Sequence, residues 1–142
     1  MTLGWQGWAL LSAVFAAATA LCAKVGIAGI SSDMATLVRT LVILPTLAGF
    51  LALTGGWQPL GELSGRSWAF LVLSGLATGA SWLCYFRALS LGEAGLVAPI
   101  DKLSVVLVAI FGALLLGERL APRQWLGVAF IAVGAVLVAL RR

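Results

Sequence analysis

The chain has 142 residues, of which 62% are hydrophobic and 10% are charged, with a mean hydropathy of +1.11. A soluble domain has roughly 25% charged residues, so this composition leaves too little polar surface to cover a globule in water. The net charge of +4 is small, which argues against a nucleic-acid-binding surface.

Five apolar segments follow one another along the chain, and each is close to the ~20 residues that a helix needs to cross a bilayer. The alternating pattern of barrel strands is missing, so the backbone should satisfy its hydrogen bonds within helices. The expected fold is therefore an all-α integral membrane protein with one domain over residues 1–142. The expected helices cover residues 5–22, 34–54, 68–87, 95–117 and 125–140.

The residues around these segments support the assignment. The N-terminus carries no Lys or Arg before the first segment, so we expect no cleaved signal peptide. Tryptophans lie near the expected helix ends, as in an interfacial aromatic belt: Trp5, Trp8, Trp57, Trp68 and Trp125. Ser32 or Asp33 is a suitable N-cap for the second helix, and Pro122 suits the first turn of the fifth.

The sequence offers little for catalysis or metal binding. It has no His, which removes the commonest general base and metal ligand. Its two cysteines, Cys22 and Cys84, form neither a metal motif nor a disulfide framework, and we expect buried free thiols. No nucleophile–base pair is recognisable, so the sequence predicts no enzyme, no cofactor and no metal.

Lys and Arg counts give almost no preference for either membrane orientation. Three lie on the N-terminal side (Arg66, Arg119 and Arg123) and four on the other (Lys24, Arg87, Arg141 and Arg142). If Arg39 and Lys102 reach the second side, the count becomes six to three. A C-terminus inside the cell and insertion in both orientations therefore both remain open.

Charged residues meet at one end of the expected helices. Asp101 lies ~9 Å along its helix from Gly95, and following the chain across the membrane brings Lys24, Arg39 and Arg87 to the same side. Charges within a membrane are expensive and often functional, so these residues and Lys102 are candidates for a solute or ion pathway. We expect Asp101 to pair with Arg39 or Arg87. The alternative is a purely structural cluster that ties the helix ends together.

Other features of the helices suggest hinges, packing faces and an aromatic surface. Pro45 and Pro99 each remove a backbone donor and are candidate hinges, and Thr46 could satisfy groups that Pro45 leaves free. Trp82 and Tyr85 share a helix face, either as a wall for a hydrophobic or cationic solute or as core packing. Small residues suited to close helix packing or a dimer seam are Gly75, Gly79, Gly127 and Gly134.

The C-terminal half resembles a known family. Tyr85–Pro99 has the sequence YFRALSLGEAGLVAP, and IDKLSVV follows at residues 100–106. Leu116–Leu120 is LGERL, Gln124–Gly127 is QWLG, and Gly134 lies in the last helix. Together these features are similar to the EamA-type domain of the drug/metabolite transporter superfamily, whose repeat of five helices would span nearly the whole chain.

The resemblance implies a secondary transporter that exports a small metabolite or drug-like solute from a bacterial inner (plasma) membrane. Most members of the family carry two repeats of inverted topology around a midplane cavity with alternating access, whereas this chain has one. A homodimer, antiparallel or not, or a heterodimer with a similar small protein would supply the second repeat.

Two further points limit what the resemblance implies. Small multidrug resistance proteins are similar in size, but they have four helices and a membrane Glu in the first, where this chain has no acid. Asp101 would then be the first candidate for any proton-coupled role. A non-transporting structural or accessory membrane subunit is the alternative function.

Overall fold

The computed structural model describes residues 4–140, so Arg141 and Arg142 of the charge count lie outside the described residues. Its helices are α1 (Trp5–Gly26), α2 (Ser32–Thr54), α3 (Gly65–Leu91), α4 (Ala94–Asp101), α5 (Leu103–Leu115) and α6 (Pro122–Ala139). These elements give five candidate membrane spans, with α4 and α5 together forming the fourth, and no strands occur among the described residues. The expected all-α membrane fold is confirmed.

The helix ends differ from the expected ones by a few residues. α3 begins three residues earlier and ends four residues later than expected, and α1 continues to Gly26. Hydropathy marks only the apolar part of a helix, whereas the backbone hydrogen bonds continue through polar turns such as the one around Lys24. Pro122 opens α6 as expected, and the Ala121 N–H donates to Gln124 Oε1 at 2.6 Å.

Serines cap the second and third helices. Ser31, and not the expected Ser32 or Asp33, is the N-cap of α2, since its Oγ accepts from the Met34 N–H at 3.3 Å. Ser64 accepts from the Ser67 N–H at 3.0 Å before α3. Each hydroxyl satisfies one of the backbone donors that the first turn of a helix leaves without a partner.

The fourth span is broken, which the sequence reading did not anticipate. The expected helix over residues 95–117 is divided at Lys102, which is a turn residue between α4 and α5. Pro99 lies inside α4 three residues earlier and cannot donate to the carbonyl one turn before it. The break lies three residues after the proline, on the side opposite to the missing hydrogen bond, and a hinge motion at Pro99 stays a prediction.

The second span is continuous through Pro45. Just after the proline, the Thr46 hydroxyl donates to the Val42 carbonyl oxygen at 2.7 Å, so a side chain adds a hydrogen bond inside this turn. Thr36 and Thr40 make similar bonds to Ser32 and Thr36 carbonyls, both at 2.9 Å. Such bonds satisfy hydroxyls within the helix itself, which a lipid-facing helix requires.

The chain groups into two compact units, and we keep one domain over residues 1–142 as a prediction. One unit comprises Met1–Ala20 with Leu91–Arg142, and in it α6 packs against α4 and α5. The other comprises Leu21–Ser90. Buried residues of this second unit gather at one end of its helices: Ile27, Ser32, Ala35, Thr36, Phe86 and Leu89.

Most large apolar side chains are exposed, up to 90% for Leu53. Cys22 and Cys84 are free thiols as expected, but both are exposed, so the expectation that they are buried is wrong. In a chain whose solvent is lipid, an apolar side chain or a thiol gains little by turning inward. Lipid contact accounts for these surfaces.

Candidate functional site

Lys24 caps the end of the third helix. In the unit Leu21–Ser90, its Nζ donates to the carbonyl oxygen of Leu89 at 2.7 Å. Leu89 lies in the last turn of α3 and is fully buried. The ammonium thus meets the negative end of the helix dipole and one of its last carbonyls, and it joins the last turn of α1 to that of α3.

Arg39 lies over two aromatic rings deeper in the same unit. Its guanidinium carbon is 4.3 Å from the centroid of the Trp82 ring and 5.6 Å from that of Phe86. Arg39 is seven residues into α2, or about 10 Å along the axis from Ser32, where the sequence reading expected about one turn. The rings supply a cation–π attraction, which grows where water is scarce.

The aromatic face of α3 therefore holds a cation of the chain itself. The sequence analysis placed Trp82 and Tyr85 on one face, and the structure adds Phe86, one turn after Trp82 and only 3% exposed. Sequence reasoning missed Phe86 as a site residue, although its spacing of four from Trp82 would have placed it on the same face.

The remaining basic candidate of this unit is Arg87, which is exposed in the last turns of α3. Its backbone carbonyl accepts from the Ser90 hydroxyl at 2.7 Å. Lys24 and Arg39 thus each contact α3 in one unit, Lys24 at the Leu89 carbonyl and Arg39 over Trp82 and Phe86, and Arg87 lies on the same part of α3.

Asp101 and Lys102 belong to the other unit and pair with each other. Lys102 Nζ lies 3.2 Å from Asp101 Oδ2, and their side chains are 55% and 35% exposed. The pair sits at the break between α4 and α5. The expected pairing of Asp101 with Arg39 or Arg87 would join the two units, and it stays a prediction.

The four candidate seam glycines lie on open helix faces. Within its own unit, a Cβ built at Gly75, Gly79, Gly127 or Gly134 would meet no described atom within 4 Å. These glycines therefore do not mediate a close approach of helices inside either unit. Their assignment to a dimer seam stays a prediction.

Gly112 shows a close approach that the sequence analysis did not identify. It is buried in α5, and a Cβ there would lie 2.7 Å from Glu118 Oε2. The backbone N–H groups of Leu116 and Glu118 both donate to the Gly112 carbonyl at 3.1 Å, while Gly117 has a left-handed φ of 69°. The Leu-Gly-Glu motif is thus the terminus of α5, with the glycine supplying the conformation and the glutamate folding back on the helix.

Nothing in this geometry forms a metal site. Across residues 4–140, no group of three Cys, Asp or Glu side chains is placed to hold an ion. The candidate membrane spans hold two charged features, one in each unit. In one unit a guanidinium lies on an aromatic face, and in the other a carboxylate lies beside an ammonium.

Two relatives have names that include a transport role. The chain is 66% identical over 139 residues to a Sinorhizobium sp. protein named "Uncharacterized transporter in cobO 3'region", a match that covers 98% of this chain and 99% of the relative. It is 39% identical over 83 residues to an uncharacterized transporter of Pseudomonas aeruginosa, covering 56% of this chain and 26% of that protein. No solved structure matches the chain significantly.

The sequence model of the EamA-like transporter family matches residues 3–140, which include all five candidate spans. Both relatives are bacterial, which agrees with an integral membrane protein of the bacterial plasma membrane whose surroundings are lipid and whose ligand is a small molecule. The family match, the five spans and the resemblance in the C-terminal half all agree: this chain belongs to the EamA-like transporter family.

Proposed function

We propose that this protein is a secondary transporter that exports a small metabolite or drug-like solute by alternating access in a dimer of five-helix chains. The family match and the transporter names of the relatives support transport in general. The observation that carries the proposal is a charged side chain, Arg39, held on aromatic rings inside a candidate span. Ionisable residues at such depth typically mark solute or ion pathways.

The lengths of the two relatives support the proposed dimer. The Sinorhizobium relative is matched over 99% of its length, so it too is a single unit of this size. The Pseudomonas protein, of which 83 matched residues make up only 26%, has room for two such units. We propose that a second copy of this chain, antiparallel or parallel, supplies the second five-helix unit, or that a similar small protein does so in a heterodimer.

We propose that the pathway includes Asp101, Arg39, Arg87, Lys102, Lys24, Trp82 and Tyr85. Asp101 is the first candidate for binding a coupling proton, because it is the acid that lies furthest inside the expected spans. Pro99 and Pro45 are the proposed hinges. The protein would perform no chemistry on its solute, in keeping with the lack of a recognisable nucleophile–base pair in the sequence.

An accessory membrane subunit is the second candidate function. The contact from Lys24 to the Leu89 carbonyl favours it, because this ammonium serves a helix end and not a solute. In that case the charged residues would hold the helix ends together, and the protein would move solute only when a partner is present.

Efflux from cells tests the proposal directly. Cells with and without the protein would be loaded with single labelled solutes from a panel of amino acids, organic acids and amines, and loss of label would be followed over time. We expect faster loss of one chemical class, and slower growth without the protein when that class is toxic. Uptake in place of loss would contradict export, and equal rates for the whole panel would favour the accessory role.

A further inference from the structure

We infer that the Arg39 guanidinium and the Trp82 ring bind the anionic group of the transported solute, which selects carboxylate-bearing solutes with a flat apolar body. The inference builds on the proposed transport function and names its substrate class. Its basis is that Arg39 contacts two aromatic rings and no hydrogen-bond acceptor within its unit.

Arg39 places its guanidinium over aromatic rings. The guanidinium carbon lies 4.3 Å from the centroid of the Trp82 ring, a distance at which a cation and an aromatic face attract each other. A stacked guanidinium keeps its N–H donors pointing outward in its plane, which is the arrangement that binds a carboxylate through two parallel hydrogen bonds. Lysine could not offer this planar pair of donors.

The donors of Arg39 have no acceptor within its unit. Among the described residues of Leu21–Ser90, no hydrogen bond or ion pair of Arg39 exists, although Arg39 lies inside a candidate span. No side-chain nitrogen without a partner is fully buried in the described residues, so the guanidinium nitrogens of Arg39 keep some accessible surface. A cation in such a place is stabilised most by an anion.

The sign of the solute's charge follows from the same contacts of Arg39. An aromatic wall attracts cations when its face is open, but here a cation of the chain covers the Trp82 face. A cationic solute would meet the like charge of Arg39, whereas a carboxylate would meet its donors. The exposed remainder of the Trp82 ring can contact the apolar body of the same solute, because Trp82 is only partly buried.

Three probes with the same phenyl body test this assignment: phenylacetate, phenylacetamide and phenethylamine. Binding to the full-length protein in phosphatidylcholine nanodiscs would be measured by titration calorimetry. We expect saturable binding of phenylacetate at least about tenfold tighter than that of either other probe, since charged hydrogen bonds are the stronger ones. Tighter binding of phenethylamine, or no binding of phenylacetate, would overturn the inference.

Variants locate the binding at Arg39. Arg39→Gln should weaken phenylacetate binding about tenfold or more, and Arg39→Lys should weaken it less, because the charge remains without the planar donors. Arg66→Gln is the matched control, since Arg66 also lies over a ring, that of Phe70 at 5.9 Å, but at the opposite end of α3. Equal phenylacetate affinity in the wild type and both Arg39 variants would contradict the assignment. If Arg39→Gln does not fold, phenylacetate affinity is compared between the wild type, Arg39→Lys and Trp82→Leu.

An anionic lipid headgroup could bind the Arg39 guanidinium in the same way as a carboxylate solute, so a separate experiment must distinguish the two ligands. Nanodiscs that contain phosphatidylglycerol would be compared with pure phosphatidylcholine. Unchanged affinity supports a solute site, whereas loss of phenylacetate binding assigns the site to lipid and contradicts us. Flux measured in vesicles separates the two proposals. If phenylacetate binds at Arg39 but no solute crosses the membrane, the transport function is refuted and the anion site stands. If solute flux is the same in wild type and Arg39→Gln, the anion site is refuted and the transport function stands.

Discussion

Individual charged side chains in this protein are stabilised in three different ways. Lys24 donates to a helix carbonyl, Arg39 stacks on aromatic rings, and Asp101 pairs with its neighbour Lys102. These environments differ in how much folding free energy would be lost if the side chain were replaced. A buried carbonyl that loses its donor costs about 1–3 kcal/mol, whereas an exposed ion pair is worth about 0–1 kcal/mol.

The low structural value of the Asp101–Lys102 pair makes Asp101 a good site for separating function from folding. We expect Asp101→Asn to reduce solute flux in proteoliposomes at least about tenfold, since a carboxylate within a membrane span is a functional candidate. Its free energy of unfolding in detergent should change by less than about 1 kcal/mol, because the ion pair is exposed.

Asp33→Asn is the matched control for this experiment, because Asp33 is an exposed acid in the first turn of α2. It should leave the flux unchanged. A folded Asp101→Asn protein with normal flux would show that Asp101 lies outside the pathway. A variant that fails to fold would instead favour the structural interpretation of the charge cluster.

At the scale of elements, the ends of the helices depend on a few residues with special conformations. The left-handed glycines Gly55 and Gly117 follow α2 and α5, where the chain must turn back toward the membrane. After α2, the N–H groups of Gly55 and Gly56 both donate to the Leu51 carbonyl. Such turns satisfy carbonyls that would otherwise lack donors at the end of a helix.

Gly117→Ala should therefore destabilise the protein. A side chain at φ 69° costs about 1–2 kcal/mol, and the turn that brings Glu118 back to Gly112 would be strained. The free energy of unfolding in detergent measures the loss. Gly49→Ala in the middle of α2 is the control, since a Cβ there meets no described atom within 4 Å, and equal losses in both variants would disprove the role of the turn.

At the scale of the whole molecule, an odd number of candidate spans among residues 4–140 would, if each crosses, place the ends of the described chain on opposite sides of the membrane. The near balance of Lys and Arg between the two sides is compatible with insertion in both orientations. An antiparallel homodimer needs both orientations, and a parallel dimer or a heterodimer needs only one. Orientation and association together therefore test the dimer.

Reporters fused after Arg142 should give signal on both sides of the membrane if the homodimer is antiparallel. Gly79→Leu should weaken self-association by about tenfold, as measured by energy transfer between labelled copies in vesicles, because a large side chain prevents close approach of two helices. Gly49→Leu is the control on another open helix face. A single orientation would exclude the antiparallel homodimer, and unchanged association in Gly79→Leu would exclude this seam.

The sequence by itself determined the five spans and the family, because apolar length and local motifs do not depend on tertiary contacts. It also predicted the end of the helices where Lys24 and Arg39 lie. It could not reveal the break at Lys102, since the apolar segment from Gly95 to Gly117 is long enough for a single span and hydropathy does not report where backbone hydrogen bonds are interrupted.

Tertiary structure alone decided what each charge contacts. The expected pairing of Asp101 with Arg39 or Arg87 would join the two units and stays a prediction, whereas within its own unit Arg39 contacts Trp82 and Phe86. Long side chains reach several neighbours, and only the folded unit determines that Arg39 lies over the rings of α3. The Trp82 ring, which the sequence offered to a hydrophobic or cationic solute or to core packing, therefore already contacts a cation of the chain within its unit.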